Sequence, residues 1–353
     1  MAVKVFQIVS RFCVGHRWNV VFLIVLFGTA AIYAQKPAPT SPMPEKSSAA
    51  PSPAAVPTPP GQQSPEEDDA KPISVKTDLV TLTLTVTDLY GRFVSGLNKK
   101  AFTIFDNNEE QEITFFSDTD APVSVGILFD VSGSMSGEKI GKARKALEKF
   151  INTSHPSDEY FLIAFNTRAQ LLLDRTRDGA AVLDKLTMVK PKDSTALYDA
   201  AYLGVERVTR GTRQKKALLI ISDGQDNASR YNFGEVRRLL KESDVNVYAV
   251  GITDGHDSGT TLGMQGQAFL DELASVTGGK AFYPQTDIEM DEIFERIALE
   301  LRHQYSVGFT PKNFTPDGKW HKTKTKVKPP RGISRLTVRT RDGYYASPNT
   351  SLK

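Results

Sequence analysis

A chain of 353 residues with 40% apolar side chains can bury two modest cores, which excludes an extended disordered polymer. Its formal net charge of +3 is matched by Lys4, Arg11 and Arg17 near the N-terminus, a stretch without acidic residues, so the rest of the chain is close to neutral. That excludes bulk basicity as an argument for a nucleic-acid partner. The single cysteine, Cys13, leaves the chain beyond it without a disulfide framework, a zinc–thiolate site or thiol chemistry.

The first predicted element is a leader, residues 1–34. Three basic residues precede an apolar run from Val20 to about Ala34, and Ile32-Tyr33-Ala34 supplies a cleavage point. The alternative is an uncleaved membrane anchor over 18–34, but the run is short for a hydrocarbon core that needs about 20 residues. Either way the body of the protein is expected outside the cytoplasm, secreted or tethered to membrane or wall through its N-terminus. Residues 35–72 follow as a linker rich in Pro, Ala and Ser, ending in the acidic run Glu66–Asp69.

Val75–Phe116 alternates as strands, with a turn at Asp88–Gly91 and another at Asp106–Asn108. Between Val123 and His303 the pattern changes. Strands are predicted at Val123–Phe129, Tyr160–Phe165, Ala169–Leu173, Ala217–Ile221, Asn246–Val250 and Lys280–Tyr283. Helices are predicted at Glu138–Thr153, Gly179–Met188, Ala196–Thr209, Phe233–Ser243, Ala268–Thr277 and Asp287–His303. Strands apolar along their whole length, with helices between them, indicate an α/β fold with a doubly wound, mostly parallel sheet. After His303 strands return at Tyr305–Thr310, Lys322–Lys328 and Ser334–Arg339. Neither flank has enough strands to be stable alone. The expectation is one small β-sandwich made from 73–120 and 304–346, with the α/β domain of 121–303 inserted between its halves and 347–353 as a tail.

Three segments carry the chemistry. Asp130-Val131-Ser132-Gly133-Ser134 ends the first buried strand, Thr195 stands at the mouth of a helix, and Asp223-Gly224 ends a second buried strand. Ligands of open α/β sheets bind outside the carboxyl ends of the strands. Oxygen donors packed this closely suit Mg²⁺. Taken together the segments resemble the von Willebrand factor type A domain, whose metal-ion-dependent adhesion site reads Asp-x-Ser-x-Ser, then Thr, then Asp. Asp130, Ser132, Ser134, Thr195 and Asp223 stand at those five positions, and beyond them the chain resembles bacterial secreted proteins with such a domain.

The resemblance implies direct ligation by Ser132, Ser134 and Thr195, with Asp130 and Asp223 wholly or partly behind them. It also implies an ion, Mg²⁺ with Mn²⁺ or Ca²⁺ as alternatives, that takes an Asp or Glu carboxylate from a protein partner. Met135, Ser194, Gly224 and Gln225 are expected to form the rim. Adhesion rather than catalysis follows. A metal-dependent phosphoryl-transfer hydrolase is the alternative, but its second Asp would fall at Ser132; a scaffold that binds nothing is the other.

The remaining polar groups are read as structural. Asp226 and Asn227 are expected as loop caps and Ser136 as the cap of the first helix. His155, His256, His303 and His321 are expected at the surface, and Asp254–Asp257 as a polar loop. Lys322, Lys324, Lys326 and Lys328 share one strand face. They are read as guarding an edge strand rather than as a patch for anionic glycan, lipid headgroups or nucleic acid, since no stacking aromatics interleave with them.

Overall fold

The computed structural model describes residues 79–189, 191–192, 194–252, 260–312 and 314–346. The leader, the linker, Asp193, the segment Asp254–Asp257 and the C-terminal tail lie outside the described residues. Four strands come first: β1 (Val80–Thr87), β2 (Phe102–Asp106), β3 (Glu109–Gln111) and β4 (Ile113–Ser117). The α/β body then runs β5 (Val123–Asp130), α1 (Glu138–Thr153), β6 (Glu159–Phe165), β7 (Ala169–Thr176), α2 (Gly179–Thr187), α3 (Leu197–Thr209), β8 (Lys215–Ser222), α4 (Phe233–Glu242), β9 (Asn246–Gly251), α5 (Thr261–Val276), β10 (Lys280–Phe282) and α6 (Asp287–Arg302). Four more strands close the chain: β11 (Tyr305–Phe309), β12 (Trp320–Val327), β13 (Thr337–Arg339) and β14 (Gly343–Tyr345).

The central sheet has the order β10-β9-β8-β5-β6-β7 and is parallel except for β7. Of its middle strands, β5 is buried along its whole length and β8 at every position but Lys216, as expected from their apolar runs. Side chains alternate between two cores. Val125, Ile127 and Phe129 of β5 face α1, α2 and α6, whereas Leu128 faces α3, α4 and α5. From β5 the chain passes to β6, and from β8 to β9 on the opposite side. The ends of β5 and β8 therefore flank the switch point of the sheet, where a crevice opens.

The flanking segments pair with each other. One antiparallel sheet has the order β13-β1-β11-β4 and the other β14-β12-β2-β3, so each mixes strands from before and after the α/β body. Leu82, Leu84 and Val307 of the first sheet share a core with Phe102, Ile104 and Tyr344 of the second.

A buried polar cluster joins this core to the α/β body. Glu300 of α6 is 1% exposed. Its Oε1 accepts from Thr85 Oγ1 at 2.9 Å and from Tyr248 Oη at 2.7 Å, and it is paired with Arg339. Gln304 adds a bond from Nε2 to Tyr248 Oη at 2.9 Å, while Lys215 Nζ donates to the Gln304 carbonyl at 3.1 Å. Burial pushes the Tyr248 phenol well above its ordinary value, and the Glu300 charge pushes the same way.

Tyr160 of β6 gives a pH dependence. Burial pushes its phenol up to about 12, against a hydrogen bond with Ser154. Tyrosine in the unfolded chain ionises near 10. The unfolded state therefore loses its proton first, and stability falls as pH rises from the unfolded toward the folded value. Between about pH 9.5 and about pH 11 the wild type should lose about 1 kcal/mol more than Tyr160→Phe. Urea unfolding at both pH values measures this, and equal losses in the two proteins would refute it.

Candidate metal centre

The apolar run of β5 drives its C-terminal end into the interior, so Asp130 is 0% exposed. Its Oδ1 accepts from the Ser132 N–H at 2.8 Å and its Oδ2 from Ser222 Oγ at 2.6 Å. Burial pushes the carboxyl up to about 6; the bonds from Ser132 and Ser222 oppose this, while the charge of Asp223 adds to it. Ionising this carboxylate costs about 3 kcal/mol more than ionising a solvated Asp. After Asp130 the chain makes a single 3₁₀ turn at Gly133–Met135. That turn brings Ser132 Oγ within 3.0 Å of Ser134 Oγ, the first residue buried and the second exposed.

Thr195 arrives from another segment. Lys192 N–H donates to the Val131 carbonyl at 3.0 Å, and Ser132 and Lys192 form an isolated parallel bridge, which lays the approach to Thr195 beside the turn. Thr195 is buried, and its N–H donates to Asn227 Oδ1 at 2.8 Å. Its carbonyl accepts from Asn227 and Ala228 at 2.9 and 3.0 Å. Asp226 caps the following helix by accepting from Tyr198 N–H at 3.0 Å, and Ser229 Oγ accepts from Asp199 N–H at 3.0 Å.

Asp223, also buried, follows β8 and so lies beside the end of β5. Its Oδ1 accepts from Gln225 N–H at 3.1 Å, and Gly224 N–H donates to Ser222 Oγ at 3.1 Å. Gly224 has φ +85°, and a Cβ there would lie 2.5 Å from the carbonyl oxygen of Gly266. Only glycine fits both the dihedral and the space.

The structure thus gathers Asp130, Ser132, Ser134, Thr195 and Asp223 at the carboxyl end of the sheet. The rim differs from expectation. Met135 is fully buried in the core with α1 and α6, because the 3₁₀ turn points it inward, and it lines no rim. Gly224 is buried against Gly266, whereas Ser194 and Gln225 are half-buried. Ser222 joins the site without having stood out in the sequence: its hydroxyl links Asp130 to the Gly224 turn, and its signal is a hydroxyl beside a strand-end Asp. Asn227 fixes Thr195 from a loop that looks generic in sequence.

Two smaller readings change. Gly137, with φ 71°, rather than Ser136, precedes α1, and no side chain caps that helix. His155 and His321 are half-buried rather than at the surface: His155 Nδ1 accepts from the Ser157 N–H at 3.0 Å, and His321 Nδ1 lies 3.4 Å from Asp106 and from Tyr344 Oη.

The donor set fits a hard divalent cation. Two hydroxyls 3.0 Å apart stand with a buried carboxylate that is costly to ionise, and a second buried carboxylate follows the neighbouring strand. Among the described residues no group of three or more His, Cys, Asp or Glu could hold a metal, so any ion here depends on hydroxyls. Neutral hydroxyls leave its charge unquenched.

The family model of the von Willebrand factor type A domain matches residues 124–296. The protein sll0103 of Synechocystis sp. is 23% identical over 196 residues, covering 54% of this chain and 43% of that protein. The inter-alpha-trypsin inhibitor heavy chain H4 of Sus scrofa is 24% identical over 201 residues, covering 51% of this chain and 20% of that one. The chain thus spans less than half the length of these curated relatives. Among solved structures, a von Willebrand factor type A protein from Catenulispora acidiphila aligns over 69% of this chain and 73% of its own, with 13% identity and a TM-score of 0.44. Residues 124–296 of this chain are a von Willebrand factor type A domain.

Proposed function

We propose that the chain binds Mg²⁺ through Ser132, Ser134 and Thr195 and uses it to capture an Asp or Glu carboxylate of a protein partner. The observation that carries this reading is Asp130: a fully buried carboxylate, held at both oxygens, directly behind the paired hydroxyls of Ser132 and Ser134. The bound ion would supply an electrophilic position for the partner's oxygen. Asp130 and Asp223 would orient the hydroxyls and balance the charge from behind, as carboxylates around metal ligands do. The role is binding rather than catalysis, and the basic, apolar leader supports a place outside the cytoplasm. Among the described residues no helix is long and apolar enough to cross a membrane.

Calorimetric titration of the protein with Mg²⁺ and Mn²⁺, alone and with an acidic peptide, tests the proposal. One saturable site is expected, lost in the Asp130→Ala, Ser132→Ala double variant. Absence of binding with the peptide present would refute it, as would equal binding in the variant.

A further inference from the structure

β12 pairs with β14 only through Trp320–Lys322 and with β2 through Thr323–Val327, so Lys324 and Lys326 stand on a stretch paired with a strand on one side, as the edge reading expects. The alternation also puts the lysines on the outer face of the sheet. Lys322, Lys324, Lys326 and Lys328 are all exposed, whereas Thr323 between them is buried. At about 3.3 Å per residue the row is roughly 20 Å long.

The neighbours leave this face positive. Residues opposite each other across an antiparallel pair share a face. Lys322 stands opposite Gly343, Lys324 opposite Phe105 and Lys326 opposite Thr103, with no carboxylate directly across from any of them. One strand further, Glu110 pairs with Phe105 and puts an acid on this face, and the exposed Glu112 follows two residues on. At the far end Lys328 N–H donates to the Ala101 carbonyl at 2.8 Å, which sets the exposed Lys99 and Lys100 beside the row. Among the described residues none of the four ammonium groups of the row forms an ion pair.

Aromatic side chains do share the face, brought in partly by the adjoining strands. Lys326 Nζ lies 4.8 Å from the ring centre of Phe105, and Lys241 Nζ lies 4.5 Å from that of Trp320. Trp320 also meets Tyr345 edge-on at 4.9 Å. Single-stranded nucleic acid is held by bases stacking on open aromatic faces. Here ammonium groups already lie over two of the rings. What remains is a straight row of point charges, suited to a ligand that repeats its own charge along a chain.

We propose that this face binds an anionic polysaccharide, with carboxylate or sulfate groups of successive sugars meeting Lys322, Lys324, Lys326 and Lys328. The surface is distinct from the metal centre, so Asp130→Ala should leave this binding intact.

The test compares the full chain with a variant carrying Lys→Gln at 322, 324, 326 and 328, on immobilised heparin and polygalacturonate by surface plasmon resonance. Saturable binding that weakens at least about tenfold in the variant, and that falls steeply as salt rises, is expected. Circular dichroism should be unchanged, because all four side chains are exposed. A control with Lys145→Gln and Lys149→Gln on α1 should bind within about twofold of wild type. The proposal is overturned by no saturable binding to either polysaccharide, by an equal loss in the control, or by tighter binding to a single-stranded oligonucleotide or to phosphatidylglycerol vesicles.

Discussion

Gly224→Ala should destabilise the protein by about 3 kcal/mol and weaken Mg²⁺ binding with it. Two costs add. A residue with a Cβ at φ +85° pays about 1–2 kcal/mol for the left-handed backbone. The new methyl would also lie 2.5 Å from the Gly266 carbonyl oxygen, and overpacking costs about 1–3 kcal/mol more. Gly96→Ala separates the terms, because Gly96 has φ +75° but nothing within 4 Å of an added Cβ. It should cost only the backbone part. Urea unfolding of both variants checks this, and equal losses would show that contact with Gly266 carries no weight. Because Gly224 follows Asp223 directly, relief of the clash must displace the carboxylate proposed to sit behind the ion.

Glu300→Ala should cost at least about 3 kcal/mol, the loss typical when one partner of a buried charged pair is removed. Thr85, Tyr248 and Arg339 all converge on the same Oε1. Alanine would leave the Arg339 charge and two hydroxyls without their shared acceptor. Glu300→Gln keeps the volume and one acceptor but loses the charge, and should cost about half as much. Denaturation midpoints measure both. A loss below about 1 kcal/mol in the alanine variant would mean that water replaces the carboxylate without penalty. Hydrogen exchange locates the damage: β13, which carries Arg339, should lose protection before β6.

The central sheet was legible because β5, β8 and β9 are apolar on both faces, a pattern that leaves few alternatives. The five proposed site positions stood out because their side chains lie at strand ends and a helix mouth in a recognisable order. Strand order within the flanking sheets was not legible, since it depends on which distant edges meet. The first two turns of α5 were missed because Gly263 and Gly266 weaken the helical pattern, and Gly266 is required by its contact with Gly224. Met135 looked like a rim residue because its inward direction depends on the 3₁₀ turn, which the residues Ser-Gly-Ser do not specify. Ser222, Asp226 and Asn227 gain their roles only from partners about 30 or more residues away.

The pairing of β1 with β11 has a consequence for biogenesis. Val80 meets Phe309 and Leu84 meets Tyr305, so the first strand has no partner until more than two hundred further residues exist. At a synthesis rate of about 5–20 residues per second, that delay is on the order of ten to fifty seconds. All six strands of the α/β sheet emerge within it. The domain that carries the candidate metal centre can thus assemble first, while β1–β4 keep open edges that must be shielded from other chains. The sandwich is the last part to close.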